Sequence, residues 1–174
     1  SNAKGVAIGF SKNFDVTIEK TTCDKNGRIL IVDTIINSHK YFLINLYNAN
    51  TEQEQLKTLN SLNDHLLKHN SDADYTPILM GDLNFIFDIN LDALGGTPTL
   101  KSRSLASFIK IQEKLDISDI YRIRFPRRKR FTYRQRVPSQ KIIHRRLDHI
   151  FVSNLLQEYV QNVEVLPSLL SDHS

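Results

Sequence analysis

Three short stretches hold polar side chains at spacings that suit chemistry. In Pro77-Ile78-Leu79-Met80-Gly81-Asp82-Leu83-Asn84 the apolar run Ile78 to Met80 reads as a buried strand, and Gly81 permits a sharp turn that brings Asp82 and Asn84 out together at its end. A carboxylate and a carboxamide at this spacing can address one small polar target, although Gly-Asp after a strand is also common turn chemistry. Further on stand Arg146-Leu147-Asp148-His149-Ile150-Phe151-Val152-Ser153 and Ser171-Asp172-His173-Ser174. His173 can give or take a proton near neutral pH, provided a partner on its other ring nitrogen fixes the tautomer.

Elements must hold these stretches in place. Gly5 to Phe10 and Phe14 to Ile18 read as strands with a turn at Ser11 to Asn13, and Asp24-Lys25-Asn26-Gly27-Arg28 carries an Asn-Gly hairpin signal. Ile29 to Val32 and Tyr41 to Leu46 follow as strands, so the first third is β-rich. Thr51 with Glu54 makes a capping box for a helix whose Leu56, Leu59, Leu62 and Leu66 form one apolar face. His65 and His69 on that helix have metal-ligand spacing, but with no acidic third ligand nearby they read as solvated surface. Residues 85–99, with Gly95-Gly96 and Pro98, read as a loop. Leu105, Phe108, Ile109, Gln112 and Leu115 predict a second helix starting near Ser102 or Ser104. Leu115 to Arg122 is a short connection in which Asp119 suits a structural ion pair. Phe131 and Tyr133 alternate as in a strand, Ile142 to Arg145 leads into the strand Leu147 to Val152, and Val160 to Leu166 reads as one more strand. Strand-rich halves separated by helices predict an α/β fold, a four-layer sandwich of two packed sheets flanked by helices.

The chain has 174 residues, 40% hydrophobic and 24% charged, which fits one globular domain with a real core. No apolar run approaches the length of a membrane span, and no secretory signal pattern is present. The single cysteine, Cys23, excludes an internal disulfide and a multi-cysteine zinc site, and suits a nuclear or cytoplasmic setting. Ser1-Asn2-Ala3 looks like the remnant of a cleaved purification tag, which leaves residues 4–174 as one domain. Between Tyr121 and Arg146 there are eleven Lys or Arg and no acid, so with a net charge of +4 the rest of the chain carries −7. Such segregation predicts one basic face, and Arg127, Arg128, Lys129, Arg130, Arg134, Arg136, Arg145 and Arg146 are its candidate nucleic-acid-binding residues. Pro-Arg-Arg-Lys-Arg also fits a nuclear-localisation patch, or a merely solvated face.

Together the three blocks resemble the endonuclease/exonuclease/phosphatase superfamily, which includes exonuclease III-type and AP endonucleases and DNase I. The likeness is strongest to the endonuclease domains of LINE-type non-LTR retrotransposons. There the pattern is Gly-Asp-(Phe/Leu)-Asn, then Arg-(Ile/Leu)-Asp-(Tyr/His)-(Ile/Phe), then Ser-Asp-His, in this order, and the resemblance runs from about Gly5 to Ser174. It implies a DNase I-like fold and a Mg²⁺-dependent phosphodiesterase that nicks DNA, with Mn²⁺ as an alternative cofactor.

The resemblance also implies roles. Asp148 would pair with His173. Asp82 would orient or deprotonate the attacking water or protonate the leaving group, and Asn84 would bond the water or a phosphate oxygen. Tyr47 and Asn50 match a Tyr-x-x-Asn that contacts the scissile phosphate. Thr132 matches a Thr that positions backbone or contacts phosphate, and Asp172 matches a position near the metal. The family's upstream Asn and metal-binding Glu have no counterpart here, nor has its first strand. The expectation is therefore an incomplete domain with weak or absent cleavage, and with unpaired sheet edges through which copies could associate. The alternatives are a non-cutting remnant that binds nucleic acid or protein, or another phosphoesterase of the same scaffold, such as an RNA deadenylase or a lipid or inositol phosphodiesterase. A Phe85-Ile86-Phe87 continuation and the lack of Trp speak against the phosphoinositide branch.

Overall fold

The structure, a computed structural model, describes residues 5–69, 74–136, 142–166 and 171–173. The tag-like Ser1 to Ala3, Lys141 of the basic segment and Ser174 of the third block lie outside the described residues. Alternation of apolar side chains builds the first sheet. β1 (Val16–Cys23), β2 (Ile29–Ile36) and β3 (His39–Tyr47) are consecutive antiparallel strands. Asp24 closes the first hairpin, its Oδ1 accepting from the backbone N–H of Arg28 at 2.6 Å and of Ile29 at 2.8 Å. The second turns on Asn37 and Ser38, both at positive φ (48° and 68°), the geometry that matches strand twist in a two-residue hairpin.

Thr51 does cap α1 (Glu52–Lys68), its hydroxyl accepting from the N–H of Glu54. The helix returns the chain so that β4 (Thr76–Asp82) runs parallel to β3. After β4 the loop of residues 85–99 is not structureless, as the sequence suggests. It contains a single helical turn, α2 (Ile89–Asp92), and the two-residue strand β5 (Ala93–Leu94). α3 (Ser102–Leu115) follows, ended by Asp116 in a left-handed conformation, then β6 (Ile117–Asp119) and α4 (Ile120–Arg124). β7 (Tyr133–Arg136) and β8 (Ile142–Arg145) join β5 in a three-stranded antiparallel sheet of order β5-β8-β7, in which β8 pairs with both. β9 (Asp148–Ser153) inserts between β4 and β6, giving a six-stranded mixed sheet of order β1-β2-β3-β4-β9-β6.

One face of the large sheet supplies Ile29, Ile31, Phe42, Ile44, Leu46, Leu79 and Phe151 to the core, against Leu59, Leu62 and Leu66 of α1 and Phe108 and Ile111 of α3. The other face shares a groove with Phe10 and Phe14 and with Leu156 and Tyr159 of a 3-10 helix (Asn154–Tyr159). No described helix is long and apolar enough to cross a membrane. β1 is mostly exposed, with Glu19 and Lys20 at a register shift, features that blunt an open edge.

Three readings need correction. Gly5 to Phe10 forms no strand. It lies against the sheet, with Asn45 Nδ2 donating to the carbonyl of Ala7 at 2.9 Å, and the first strand starts only at Val16. Val160 to Leu166 is not a strand either: it pairs with no described strand, and arginines take two of its carbonyls, Arg124 donating to Val160 and Arg130 to Val165. His69 is not solvated. Its Nε2 sits 2.8 and 2.9 Å from the two oxygens of buried Asp33, and its ring lies 4.2 Å from that of Phe42.

Candidate active site

Strand register puts the first two blocks side by side. Asp82 is the last residue of β4 and Asp148 the first of β9, and the antiparallel ladder pairs them directly. On the other side of β4 the parallel ladder pairs Asp82 with Tyr47. Three residues from three distant stretches thus form one rung at one end of the sheet. His173 reaches it from elsewhere: it bridges to Tyr133 of β7, while Arg134 donates its N–H to the carbonyl of Asp172 at 2.7 Å. Its Nδ1 lies 2.8 Å from Asp148 Oδ2, and its Nε2 lies 4.0 Å from Asp82 Oδ2.

Local backbone explains why Asp82 and Asn84 are spaced as they are. Gly81 is needed for contact rather than for a sharp turn: it remains in β4 at φ 137°, and a Cβ there would lie 2.0 Å from the carbonyl oxygen of Leu46. Asn84 takes a left-handed conformation (φ 52°), which Asn tolerates better than most residues. Its N–H donates to Asp82 Oδ1 at 2.8 Å, and its Nδ2 donates to Asp82 Oδ2 at 3.1 Å and to the Asn48 carbonyl at 2.9 Å. Asp82 and Asn84 do make a turn, and this Asx turn is what aims the Asp82 carboxylate toward the cavity. The Asn84 carbonyl in turn accepts from Gln55 Nε2 at 2.8 Å and from Lys101 Nζ at 2.6 Å.

Electrostatics follows from this crowding. Burial raises the Asp82 carboxyl, the Asn84 N–H opposes it, the facing Asp148 charge raises it further, and His173 and Lys101 pull it back, leaving it at about 6. For His173 burial acts downward, but the bond to Asp148 and the charges of Asp148, Asp82 and Asp172 outweigh it, so the imidazole is raised above its ordinary range. Asp82, Asp148 and His173 offer ligand atoms within 4.8 Å of one another. A cavity of about 790 Å³ opens over them, lined also by Tyr47, Asn50, Asn84, Tyr133, Arg145 and Asp172.

Of the residues singled out from sequence, Asp82, Asn84, Asp148, His173, Tyr47, Asn50 and Asp172 all face this cavity. Asp172 is exposed and stands outside the three-residue cluster. Thr132 does not line this cavity. It is buried, and its Oγ1 accepts from the N–H of Leu147 and of Asp148, both at 3.0 Å, which leaves it a backbone-positioning role.

Arg146 is the clearest correction. It is 2% exposed, with Nε donating to Asp92 at 2.8 Å and Nη1 to Asp119 at 2.6 Å, so it cannot belong to a nucleic-acid surface. Asp92 also accepts from Arg122, and Asp119 also meets His149 Nδ1 at 3.1 Å. This buried network brackets Asp148 in sequence. Arg127, Arg128, Lys129, Arg130, Arg134 and Arg136 are exposed, whereas Arg145 is half-buried and ties Nη1 to the carbonyls of Leu94, Gly95 and His144.

Nothing in the residue pattern points to Lys101 and Gln55, which bind the Asn84 turn from a loop and from the core face of α1. Tyr133 is legible from sequence only as a strand residue. The strand alternation that sets it beside Phe131 could have flagged its exposed side.

No protein-family model matches the chain. Over 171 residues it is 27% identical to an uncharacterized 149 kDa protein of transposon TX1 from Xenopus laevis, a match that spans 98% of this chain and 12% of that protein. Among solved structures it is similar to AP endonuclease LMAP from Leishmania major, with a TM-score of 0.63 and 23% identity over 86% of this chain and 53% of that one. It is also similar to the endonuclease domain of TRAS1, a telomere-specific non-LTR retrotransposon, with a TM-score of 0.58 and 13% identity over 98% and 75% of the two chains. The chain has the DNase I-like fold of the endonuclease/exonuclease/phosphatase proteins, mixed α/β with two sheets and flanking helices, as its motifs led one to expect.

Proposed function

We propose that this chain is a phosphodiesterase domain that nicks DNA, of the kind carried by non-LTR retrotransposons. The observation that carries the reading is the Asp148–His173–Asp82 arrangement, 2.8 Å on one side of the imidazole and 4.0 Å on the other, beneath an open polar cavity. Asp148 fixes His173 with Nδ1 as donor and leaves Nε2 toward Asp82. Burial raises Asp82 to about 6, and although burial opposes it the bond and charge of Asp148 raise His173 as well, which suits the carboxylate to take a proton from water and the imidazolium to stabilise charge on a phosphate oxygen. Asn84 holds Asp82 in place through two bonds, and Tyr47 and Asn50 border the space where a phosphate would lie.

A divalent cation fits this chemistry in part. Mg²⁺ takes a few carboxylate oxygens and keeps its water, and Asp82 and Asp148 offer such oxygens at an open cavity. When bound it would supply positive charge to the transferring phosphate. Among the described residues no glutamate lines the cavity, so binding of Mg²⁺ or Mn²⁺ by this chain alone is expected to be weak and its cleavage slow.

The exposed arginines and Lys129 favour a polymer over a small phosphate ester, with duplex DNA in a nuclear or cytoplasmic setting as the substrate. The test is nicking of supercoiled plasmid in Mg²⁺. Wild-type chain should convert plasmid to the open circle, with His173→Ala and Asp148→Asn slower by about 10²–10⁴-fold. Equal nicking by all three proteins would reject the assignment.

A further inference from the structure

Lys101 lines the cavity and acts on Asp82 through its charge, but the mechanism above gives it no contact with substrate. It sits just before α3, half-buried on the cavity wall, and its Nζ donates to the carbonyls of Asn50 and Asn84, each at 2.6 Å. Both partners are neutral. Among the described residues no carboxylate comes within 4.0 Å of this ammonium, so its charge has no ion-pair partner. An ammonium has three donor hydrogens, and two carbonyls occupy two of them.

A purely structural link at this turn does not need the charge. The same turn is already fastened by a neutral group, since Gln55 Nε2 donates to the carbonyls of Ala49 and Asn84, each at 2.8 Å. The two side chains make parallel links from the Tyr47–Asn50 stretch to the Asn84 turn. Gln55 does so inside the core, and Lys101 does so at the cavity. Burial acts against the Lys101 charge and lowers its pKa, while Asp82 and Glu52 draw it the other way. A desolvated cation facing a polar cavity is an anion site.

We infer that Lys101 is a phosphate-binding residue, its third hydrogen given to a non-bridging oxygen of the nucleic-acid phosphate that lies between Asn50 and Asn84. The inference rests on the phosphodiesterase reading and adds to it a cation supplied by the chain itself on the wall of the cavity.

The test compares wild type, Lys101→Met, Lys101→Arg and His173→Ala for binding of a short labelled DNA duplex over a range of salt in EDTA, and for plasmid nicking in Mg²⁺. Lys101→Met should stay folded but melt a few degrees lower for its two lost carbonyl bonds, lose about tenfold or more in affinity, and flatten the slope of log affinity against log salt by about 0.9. Lys101→Arg should keep the slope. His173→Ala should lose nicking. A folded Lys101→Met with wild-type slope and affinity overturns the inference and leaves the nuclease reading standing. A reduced slope in Lys101→Met together with normal nicking by His173→Ala sinks the nuclease reading and keeps the anion site. Wild type that binds no duplex sinks both. Should Lys101→Met fail to fold, the wild-type Lys101 ammonium resonance decides: a shift on adding a thymidine dinucleotide supports the role, and no shift overturns it.

Discussion

Asp119 touches nothing in the cavity, yet the placement of Asp148 depends on it. Its carboxylate holds Arg146 and His149, which flank that stretch in sequence and are 2% and 4% exposed. Burial alone would raise this carboxyl, but the bond from His149 and the Arg146 charge outweigh it and hold it well below the usual range. A folded-state pKa below the unfolded value of ~3.9 gives stability that is full above that pH and is lost as pH falls further. Asp119→Asn should therefore cost roughly 3–5 kcal/mol at pH 7 in urea unfolding, with the gap to wild type closing below about pH 4. A gap that stayed constant with pH would exclude the ion pair as its origin. Thr132→Val should cost about 1–3 kcal/mol by stranding two N–H groups beside Asp148, and Thr132→Ser should restore most of it. The pairing of Asp148 with His173 was legible because residue types and order survive in sequence. The fate of Arg146 was not, because the eleven basic residues of that segment look alike until one of them is buried against Asp92.

At the scale of elements, periodicity carried most of the information. α1 was readable from its capping box and leucine stripe, and Leu59→Ala, at a fully buried position, should lower stability by about 2–5 kcal/mol in chemical denaturation. The link between β2 and β3 was harder to see, because Asn37-Ser38 lacks the Gly that such turns favour. Ser38 at φ 68° bears a left-handed conformation that costs a non-glycine residue ~1–2 kcal/mol, so Ser38→Gly should raise the melting midpoint, by an amount equivalent to ~0.5–1 kcal/mol after glycine's own entropy cost. An unchanged or lower midpoint would show that the turn carries no such strain. Val160 to Leu166 misled for a physical reason. Its alternation suits a strand, but alternation says nothing about whether a neighbouring edge exists, and here arginine side chains take the carbonyls at 160 and 165.

For the whole molecule, charge segregation separates two kinds of arginine. Replacing exposed Arg127, Arg128 and Arg130 together with Ala should weaken duplex binding and flatten its salt slope by up to ~0.9 per lost contact, with stability little changed. Arg146→Ala should instead unfold the protein at lower urea, and the contrast is measurable on one set of samples. The fold class could be read from the order of strands and helices, but the meeting of Asp82 with Tyr47 and Asp148 depends on ladder register, which no local pattern encodes. That register also governs how the sequence can vary. Inserting or deleting one residue within β4 ahead of Gly81 would turn Asp82 to the opposite side of the sheet and exchange it for a neighbour of the wrong chemistry, whereas a length change in the exposed Gly95 to Thr97 stretch spares the rung.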